Sequence, residues 1–191
     1  RVVVCVDIEG AYLAVDMEDD VYGMFDSVVA QFMIRLYPEF AKFMRNGRLY
    51  FKLKKALYGC VQSALLFYRH LRRTLEAFGF KVNPYDQCVF TRDFDGKQCT
   101  ICTHVDDLKI SCADPKAVEA VLEELTRVYK KIAIHRGPVL DYLGMELDYS
   151  TPGKVKVSMS KSIEATLKEH EVSDGEVKTP ASSNLFTIDK N

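Results

Sequence analysis

The chain lacks both an excess of one charge and a long apolar run. Its 191 residues include 26 basic and 27 acidic side chains, so the formal net charge is −1. A near-neutral chain weakens a nucleic-acid-binding interpretation, because phosphate binding usually goes with a basic excess. No apolar stretch is long enough to cross a bilayer, and no signal peptide, internal repeat or low-complexity segment is visible. The hydrophobic content of 48% suits one domain with a sizeable core, or a domain with an appendage.

The charges are unevenly distributed along the chain, although they nearly cancel. Basic side chains form one run over 42–55 and a second over 69–73, whereas acidic side chains concentrate over 16–20 and 119–124. Taken alone, each run is as consistent with a solvated surface as with a binding face.

Six cysteines are present, and most lie in apolar, strand-like segments where a free thiol behaves as a small hydrophobic side chain. This usage predicts a reducing, intracellular environment. The Cys99-x-x-Cys102-x-His104 spacing superficially resembles a zinc site. However, side chains alternate along a strand, so Cys99 and Cys102 would point to opposite faces and could not share an ion. The same alternation places His104 on the face of Asp106.

Hydrophobic periodicity predicts an alternation of strands and helices. The expected strands span 2–6, 48–53 and 88–92, and two expected hairpins span 97–112 and 142–159. A helical period covers 20–44, where Pro38 either breaks the helix or starts another one. Further helices are expected over 63–78 with Ser63 as the cap, after a cap at Asp114, and after a Ser160 cap, with Ile163 and Leu167 of the last helix facing inward. This order predicts an α+β fold, with a split β-α-β antiparallel sheet covered by helices on one face and followed by a short hairpin and helix.

Two adjacent carboxylates, Asp106 and Asp107, occupy the predicted tip of the first hairpin. Adjacent aspartates repel each other, so a cation opposite them would stabilise the turn. The expected sheet can also bring Asp7, at the end of the first strand, to the same edge. Three carboxylates from two strands suit a pair of divalent metals and nucleotidyl transfer. An ordinary acidic turn and a strand-end aspartate explain the same spacing.

Two further segments give weaker indications of a functional site. The segment 54–63 joins a basic strand end to a helix start, and Gly59 allows the backbone to approach a phosphate closely. The segment 142–147 places Gly144 inside a strand pattern, which predicts a bulge or a close backbone contact. Both segments are equally consistent with ordinary connections.

In this order, the segments resemble the reverse transcriptase domain of copia-type LTR retrotransposons. The resemblance covers about 2–178. The matching stretches are DIEGAYL at 7–13, LKKALYG at 53–59, Gln62-Ser63, Gly79-Phe80, VDD at 105–107, YLGMEL at 142–147 and SMSKSI at 158–163.

The resemblance implies a role for each matching residue. Asp7, Asp106 and Asp107 resemble the catalytic triad of a polymerase palm, which binds two Mg²⁺ ions or, alternatively, Mn²⁺. Tyr12 resembles the bulky residue under the sugar of the incoming nucleotide, where its ring would clash with a 2′-hydroxyl. The implied nucleotide-binding residues are Ala11, Tyr12, Tyr58, Gly59 and Gln62, and the implied primer-binding residues are His104, Leu143, Gly144 and Met145.

The resemblance also implies domain boundaries and partners. Residues 1–140 would form a palm-like subdomain without most of the fingers, 141–172 a primer-grip-like hairpin and the start of the thumb, and 173–191 an irregular tail. Because the chain opens on an apolar strand without an initiator Met, we expect a fragment of a longer polyprotein. Its expected partners are an RNA or DNA template-primer, a dNTP, and other polyprotein parts or a host complex. The expected location is a cytoplasmic particle or the nucleus, or an organelle if the domain was co-opted.

Two other functions remain as alternatives. The family usually has Tyr at the position of His104 and Pro at the position of Ala64; with the missing fingers, these departures favour a retrotransposon-derived palm that has lost polymerase activity and acts as a structural or interaction subunit. The three intact carboxylates favour the polymerase instead. A different palm-fold nucleotidyltransferase or cyclase is the weaker alternative, because a cyclase has no primer for the 142–147 segment to hold.

Overall fold

A computed structural model describes residues 1–170, which form an α+β fold with antiparallel sheets. The strands are β1 (Val2–Ile8), β2 (Tyr22–Phe25), β3 (Met44–Arg45), β4 (Arg48–Lys52), β5 (Lys81–Val82), β6 (Val89–Phe94), β7 (Lys97–His104), β8 (Asp107–Cys112), β9 (Ile132–His135), β10 (Val139–Tyr142), β11 (Met145–Asp148) and β12 (Lys156–Ser158). The α-helices are α1 (Ser27–Leu36), α2 (Ser63–Ala77), α3 (Pro115–Tyr129) and α4 (Ser160–Glu169). Short 3₁₀ turns occupy Ala11–Ala14 and Pro38–Phe43. The tail predicted over 173–191 lies outside the described residues.

The main sheet has six strands in the order β5-β6-β7-β8-β1-β9, and each neighbouring pair is antiparallel. The run of β-branched residues in β1 lies near its centre, between β8 and β9. The prediction that the first strand lies beside the acidic hairpin is therefore confirmed. The loop of that hairpin consists of Val105 and Asp106, since β7 ends at His104 and β8 begins at Asp107.

Helices α2 and α3 cover one face of the main sheet and form the larger core with it. Alternate residues of β1 and β8 supply the sheet side of this core: Val4, Val6, Ile8, Leu108 and Ile110. The helices supply Phe67, Leu71, Leu75, Val118, Val121 and Leu125 at helical spacing. The predicted cap of α3 is confirmed, because the Asp114 carboxylate accepts a hydrogen bond from the Lys116 backbone N–H at 2.9 Å.

A three-stranded sheet of β10, β11 and β12 covers part of the opposite face around a smaller cluster, which contains Cys5, Leu140, Tyr142 and Leu147. The prediction of one strand over 142–149 is wrong at its start, because the chain reverses at Leu143 and Gly144. Both residues have positive φ, 52° and 75°, as a two-residue type I′ turn requires. Gly144 is therefore a turn residue and not a bulge within a strand.

The helix expected from residue 20 is wrong at its start, whereas the break expected at Pro38 is confirmed, because α1 ends at Leu36 and a 3₁₀ turn begins at Pro38. The carboxylate of Asp26 accepts hydrogen bonds from the backbone N–H groups of Val28 and Val29 at 3.1 and 3.0 Å, and this cap starts α1 in the middle of the segment. The residues before it form β2, which pairs with β4 in a third sheet, β2-β4-β3. Long-range strand pairing outweighs the local helical period here.

Two helix caps lie one residue before the predicted position. Ser63 and Ser160 are the first helical residues of α2 and α4, and the cap positions belong to Gln62 and Met159. The inward orientation predicted for Ile163 and Leu167 is wrong, since their exposed fractions are 55% and 47%. None of the helices described within residues 1–170 combines the length and apolar character that a membrane span needs.

Phe67 tests the larger core, because it is completely buried between the sheet and the helices. Replacing it with Ala should lower the free energy of unfolding by about 3–5 kcal/mol, through lost burial and the cavity left behind. Urea denaturation measures this change. Phe43→Ala is the matched control: Phe43 is 48% exposed, and its loss should change stability by about 0.5 kcal/mol or less. Equal effects of the two substitutions would contradict the core assignment.

Candidate functional site

Three predicted site residues lie in one row across the main sheet. Asp7 of β1 is directly opposite Asp107 of β8, and Asp107 is directly opposite His104 of β7. Residues directly opposite each other in antiparallel strands project from the same face. Because Val6 and Leu108 face the helices, this row lies on the other face of the sheet. His104 thus adjoins Asp107, whereas alternation along the strand placed it on the face of Asp106, which lies in the loop between the two strands.

Asp106 completes the carboxylate group at the tip of the β7–β8 hairpin. Its backbone carbonyl accepts a hydrogen bond from the Ile8 backbone N–H at 3.1 Å, which ties the tip to the end of β1. Its side-chain Oδ2 accepts a hydrogen bond from the Tyr58 hydroxyl at 3.0 Å. Tyr58 is 48 residues away in sequence, so no local pattern signals this bond.

The electrostatic environment of Asp7 is negative. Burial raises the pKa of Asp7 above its ordinary value of 3.8, the charges of Asp106, Asp107 and Glu9 raise it further, and His135 opposes them. A divalent cation would relieve this repulsion, and carboxylate oxygens are the ligands that Mg²⁺ prefers. The residue types therefore fit a magnesium site. Within residues 1–170, however, no three His, Cys, Asp or Glu side chains are arranged so that they could hold a single ion.

A chain of aromatic contacts connects the site to the larger core. The rings of Tyr12 and Tyr58 lie 4.4 Å apart between centroids, and those of Tyr12 and the buried Phe67 lie 6.2 Å apart. Burial, followed by the hydrogen bond to Asp106, raises the pKa of Tyr58 to about 12. The Tyr58 hydroxyl consequently keeps its proton at neutral pH and remains a donor.

Ser63 fixes the loop that carries Tyr58. Its side chain is fully buried; its Oγ donates to the Leu57 carbonyl at 2.7 Å and accepts from the Leu57 backbone N–H at 3.1 Å. Both backbone groups of the residue before Tyr58 are thus held by one hydroxyl. Sequence reasoning assigned Ser63 to a helix cap and missed this role, because a serine at a helix start is most often a cap.

The other nucleotide-binding candidates occupy different environments. Gly59 has a φ of 91°, and the space that a side chain would occupy there is open, as a close backbone approach requires. Gln62 Nε2 donates to Asp19 Oδ2 at 2.9 Å. Ala11 is fully buried in the larger core, so the structure does not bring its surface to the site.

The acidic segment 16–20 pairs with basic residues around the site. Asp16 lies 2.8 Å from Lys55, Glu18 lies 3.8 Å from Arg69, and Asp20 pairs with Lys52. All of these groups are exposed, so each pair contributes little to stability. Together they neutralise three basic side chains of the two runs, Lys52, Lys55 and Arg69.

The predicted primer-binding turn lies beside the carboxylate row. Tyr142, just before the turn, donates from its hydroxyl to the Cys102 carbonyl at 3.4 Å, and Cys102 is two residues from His104 on the same strand. The Gly144 carbonyl accepts a hydrogen bond from Ser162 Oγ at 2.7 Å, which fixes the turn to α4. Leu143 is partly exposed at the turn, and Met145 packs against the smaller cluster.

The hairpin that carries Asp106 has a strained tip. Val105, the first residue of its two-residue loop, has a φ of 55°. A β-branched side chain rarely adopts this left-handed conformation, since it crowds the backbone. Strain of this kind is concentrated at functional sites.

Comparisons with known proteins indicate one family. The family model described as reverse transcriptase (RNA-dependent DNA polymerase) matches residues 1–182. The putative transposon Ty5-1 protein of Saccharomyces cerevisiae is 26% identical over 166 residues, which cover 87% of this chain and 49% of that protein. The transposon Ty1-DR1 Gag-Pol polyprotein of the same yeast is 29% identical over 163 residues, which cover 82% of this chain and 8% of the polyprotein. The chain spans about half of the first relative and a small part of the second.

Val105→Gly should stabilise the protein. Glycine relieves strain of about 1–3 kcal/mol at this φ, and its greater backbone entropy when unfolded costs about 0.5–1 kcal/mol. The net gain should be about 1 kcal/mol in urea denaturation. Val157→Gly makes the same change in β12, where φ is not positive, and should destabilise the protein. A loss of stability in both variants would contradict the strain at the tip.

Asp7→Asn should raise the melting temperature at pH 7 in metal-free buffer. Because the pKa of Asp7 is raised in the folded state, the ionised carboxylate lowers the free energy of unfolding. This loss of stability is complete above the pKa of the folded state. It disappears below pH 3.8, where the carboxyl is protonated in both the folded and the unfolded chain. The difference from the unmodified chain should therefore shrink as the pH falls toward 3.8. Asp16→Asn is the control of opposite sign, because hydrogen bonding to Lys55 lowers the pKa of Asp16. A lower melting temperature for Asp7→Asn at pH 7 would refute this view.

Proposed function

The chain belongs to the reverse transcriptase (RNA-dependent DNA polymerase) family, in the form found in copia-type LTR retrotransposons, and on that premise we propose that it is the palm and the start of the thumb of an RNA-directed DNA polymerase. In the proposed reaction, a primer 3′-hydroxyl attacks the α-phosphate of a dNTP and pyrophosphate leaves. The observation that carries the proposal is the register that pairs Asp7 with Asp107, with Asp106 tied to the end of β1.

The proposed cofactor is a pair of Mg²⁺ ions, with Mn²⁺ as a substitute, held by Asp7, Asp106 and Asp107. When bound, the ions would lower the pKa of the attacking hydroxyl and neutralise the phosphate charge. The three carboxylates come from two adjacent strands and from the hairpin tip, so one rigid sheet edge supplies them. Burial raises the pKa of Asp7 most, and the neighbouring carboxylates Asp106, Asp107 and Glu9 raise it further; this accumulation of negative charge supports the assignment.

The incoming nucleotide would lie over the rings of Tyr12 and Tyr58. The Tyr12 ring, supported from below by Phe67, would leave no room for a 2′-hydroxyl and would therefore favour deoxynucleotides. The open space at Gly59 would let the backbone approach the nucleotide. Gln62, held by Asp19, would contact the nucleotide or template from the start of α2.

The primer would lie between His104 and the β10–β11 turn. His104 adjoins Asp107 in the same row, so it would reach the terminal nucleotide of the primer. The turn backbone at Leu143, Gly144 and Met145 would hold the primer 3′ end, with Ser162 of α4 bracing the turn.

The proposed partners follow from this reaction and from the relatives. They are an RNA or DNA template-primer, dNTPs, and other parts of a polyprotein such as the Gag-Pol relatives. A cytoplasmic particle or the nucleus is the proposed location for a retrotransposon protein, and an organelle for a co-opted one.

Primer extension on a homopolymer template with Mg²⁺ or Mn²⁺ tests the proposal. We expect dNTP incorporation that Asp106→Asn reduces by about 100-fold or more, through loss of a metal ligand. Asp95→Asn is the matched control, because Asp95 occupies the tip of the neighbouring β6–β7 hairpin, away from the carboxylate row. Incorporation by this control should equal that of the unmodified chain.

The contrary outcome identifies the alternative function. If the chain incorporates no nucleotide even when a fingers segment is supplied, polymerase activity is rejected. The palm would then act as a structural or interaction subunit that has lost its activity.

A further inference from the structure

We propose that Tyr58 is a positioning residue for Asp106: its hydroxyl holds one oxygen of the carboxylate so that the other faces the cation. This inference rests on the proposed function, because it concerns the same metal site. It assigns to Tyr58 a role toward the metal-binding carboxylate, in addition to the nucleotide contact that the family resemblance implies.

The hydrogen bond divides the two oxygens of Asp106. The Tyr58 hydroxyl donates to Oδ2 at 3.0 Å. A carboxylate can accept about four hydrogen bonds or metal bonds, and the Tyr58 hydroxyl uses one of them, on Oδ2. Oδ1 is therefore left to bind a metal ion. Donors of this kind fix the rotation of a metal-binding carboxylate, and their loss typically weakens metal binding.

Asp106 needs such a restraint because its neighbours repel it. Asp107 follows Asp106 in the chain, Asp7 lies directly opposite Asp107, and the Asp106 backbone is bonded to Ile8, the residue after Asp7. At this half-buried hairpin tip, an unrestrained Asp106 side chain would rotate away from the other two carboxylates. Among the salt bridges of residues 1–170, none involves Asp106. A phenol therefore supplies the restraint without adding a positive charge that would repel a metal ion.

Tyr58 is itself held firmly enough to act as an anchor. Its ring packs at a tilt against that of Tyr12, which contacts the fully buried Phe67. The preceding residue, Leu57, is fixed through both backbone groups by the buried Ser63. The carboxylate at the hairpin tip is thus connected to the larger core through two tyrosines.

The test is Mn²⁺ binding by the full chain, followed through the electron paramagnetic resonance signal of free Mn²⁺. Tyr58→Phe keeps the ring and its packing but removes the donor, so it should weaken Mn²⁺ binding by about 10-fold or more. Tyr68→Phe is the matched control: Tyr68, on α2, donates to the Gln87 carbonyl at 3.0 Å, and losing that hydroxyl should leave Mn²⁺ affinity within about twofold.

A double-mutant cycle separates positioning from general loss of structure. In an Asp106→Asn background, Tyr58→Phe should have no further effect on Mn²⁺ affinity, because the carboxylate that it positions is gone. An equal loss in both backgrounds would show general damage and overturn the inference. If the unmodified chain binds Mn²⁺ and extends primers, and Tyr58→Phe binds Mn²⁺ with unchanged affinity, the inference is overturned and the proposed function stands. An unmodified chain that binds no Mn²⁺ would overturn both.

Discussion

The register between β1 and β8 determines where every group of the candidate site lies. It pairs Asp7 with Asp107 and, at the same time, places Val4, Val6 and Ile8 in the core beneath the helices. A slip of one residue would turn Asp7 into that core and expose the apolar side chains. The burial of one sheet face therefore fixes the position of the carboxylates on the other face. No additional interaction is needed to align β1 with β8.

Part of the positive charge is neutralised locally by acidic side chains. The acidic segment 16–20 lies against basic residues from β4, from the loop before α2 and from α2 itself. These exposed pairs are weak and are screened by salt, so nucleic-acid phosphates can compete with them. A neutral total therefore does not exclude a polyanion partner, although the basic runs are less available than the sequence alone indicates.

Features that depend on local patterns could be predicted from the sequence. The acidic hairpin and the Asp114 cap depend on neighbouring residues. The cap lies where its pattern indicated, and the hairpin loop lies one residue earlier than predicted, at Val105 and Asp106 instead of Asp106 and Asp107. The segment 20–44 was mispredicted because a capping aspartate interrupts the helical period and because β2 pairs with a strand more than 20 residues away. The bond between Tyr58 and Asp106 joins residues 48 positions apart. Such partners become evident only once the loop before α2 is placed against the hairpin tip.

The arrangement of strand lengths bears on how the chain behaves in concentrated solution. The longest strands, β7 and β1 with eight and seven residues, lie inside the main sheet, whereas its edges are β5 with two residues and β9 with four. The small sheets likewise have edge strands of two to four residues. A formal net charge of −1 gives little repulsion between copies. Short edges offer few unpaired backbone groups to a second chain, so they limit the fibril-like association that weak charge repulsion would otherwise permit.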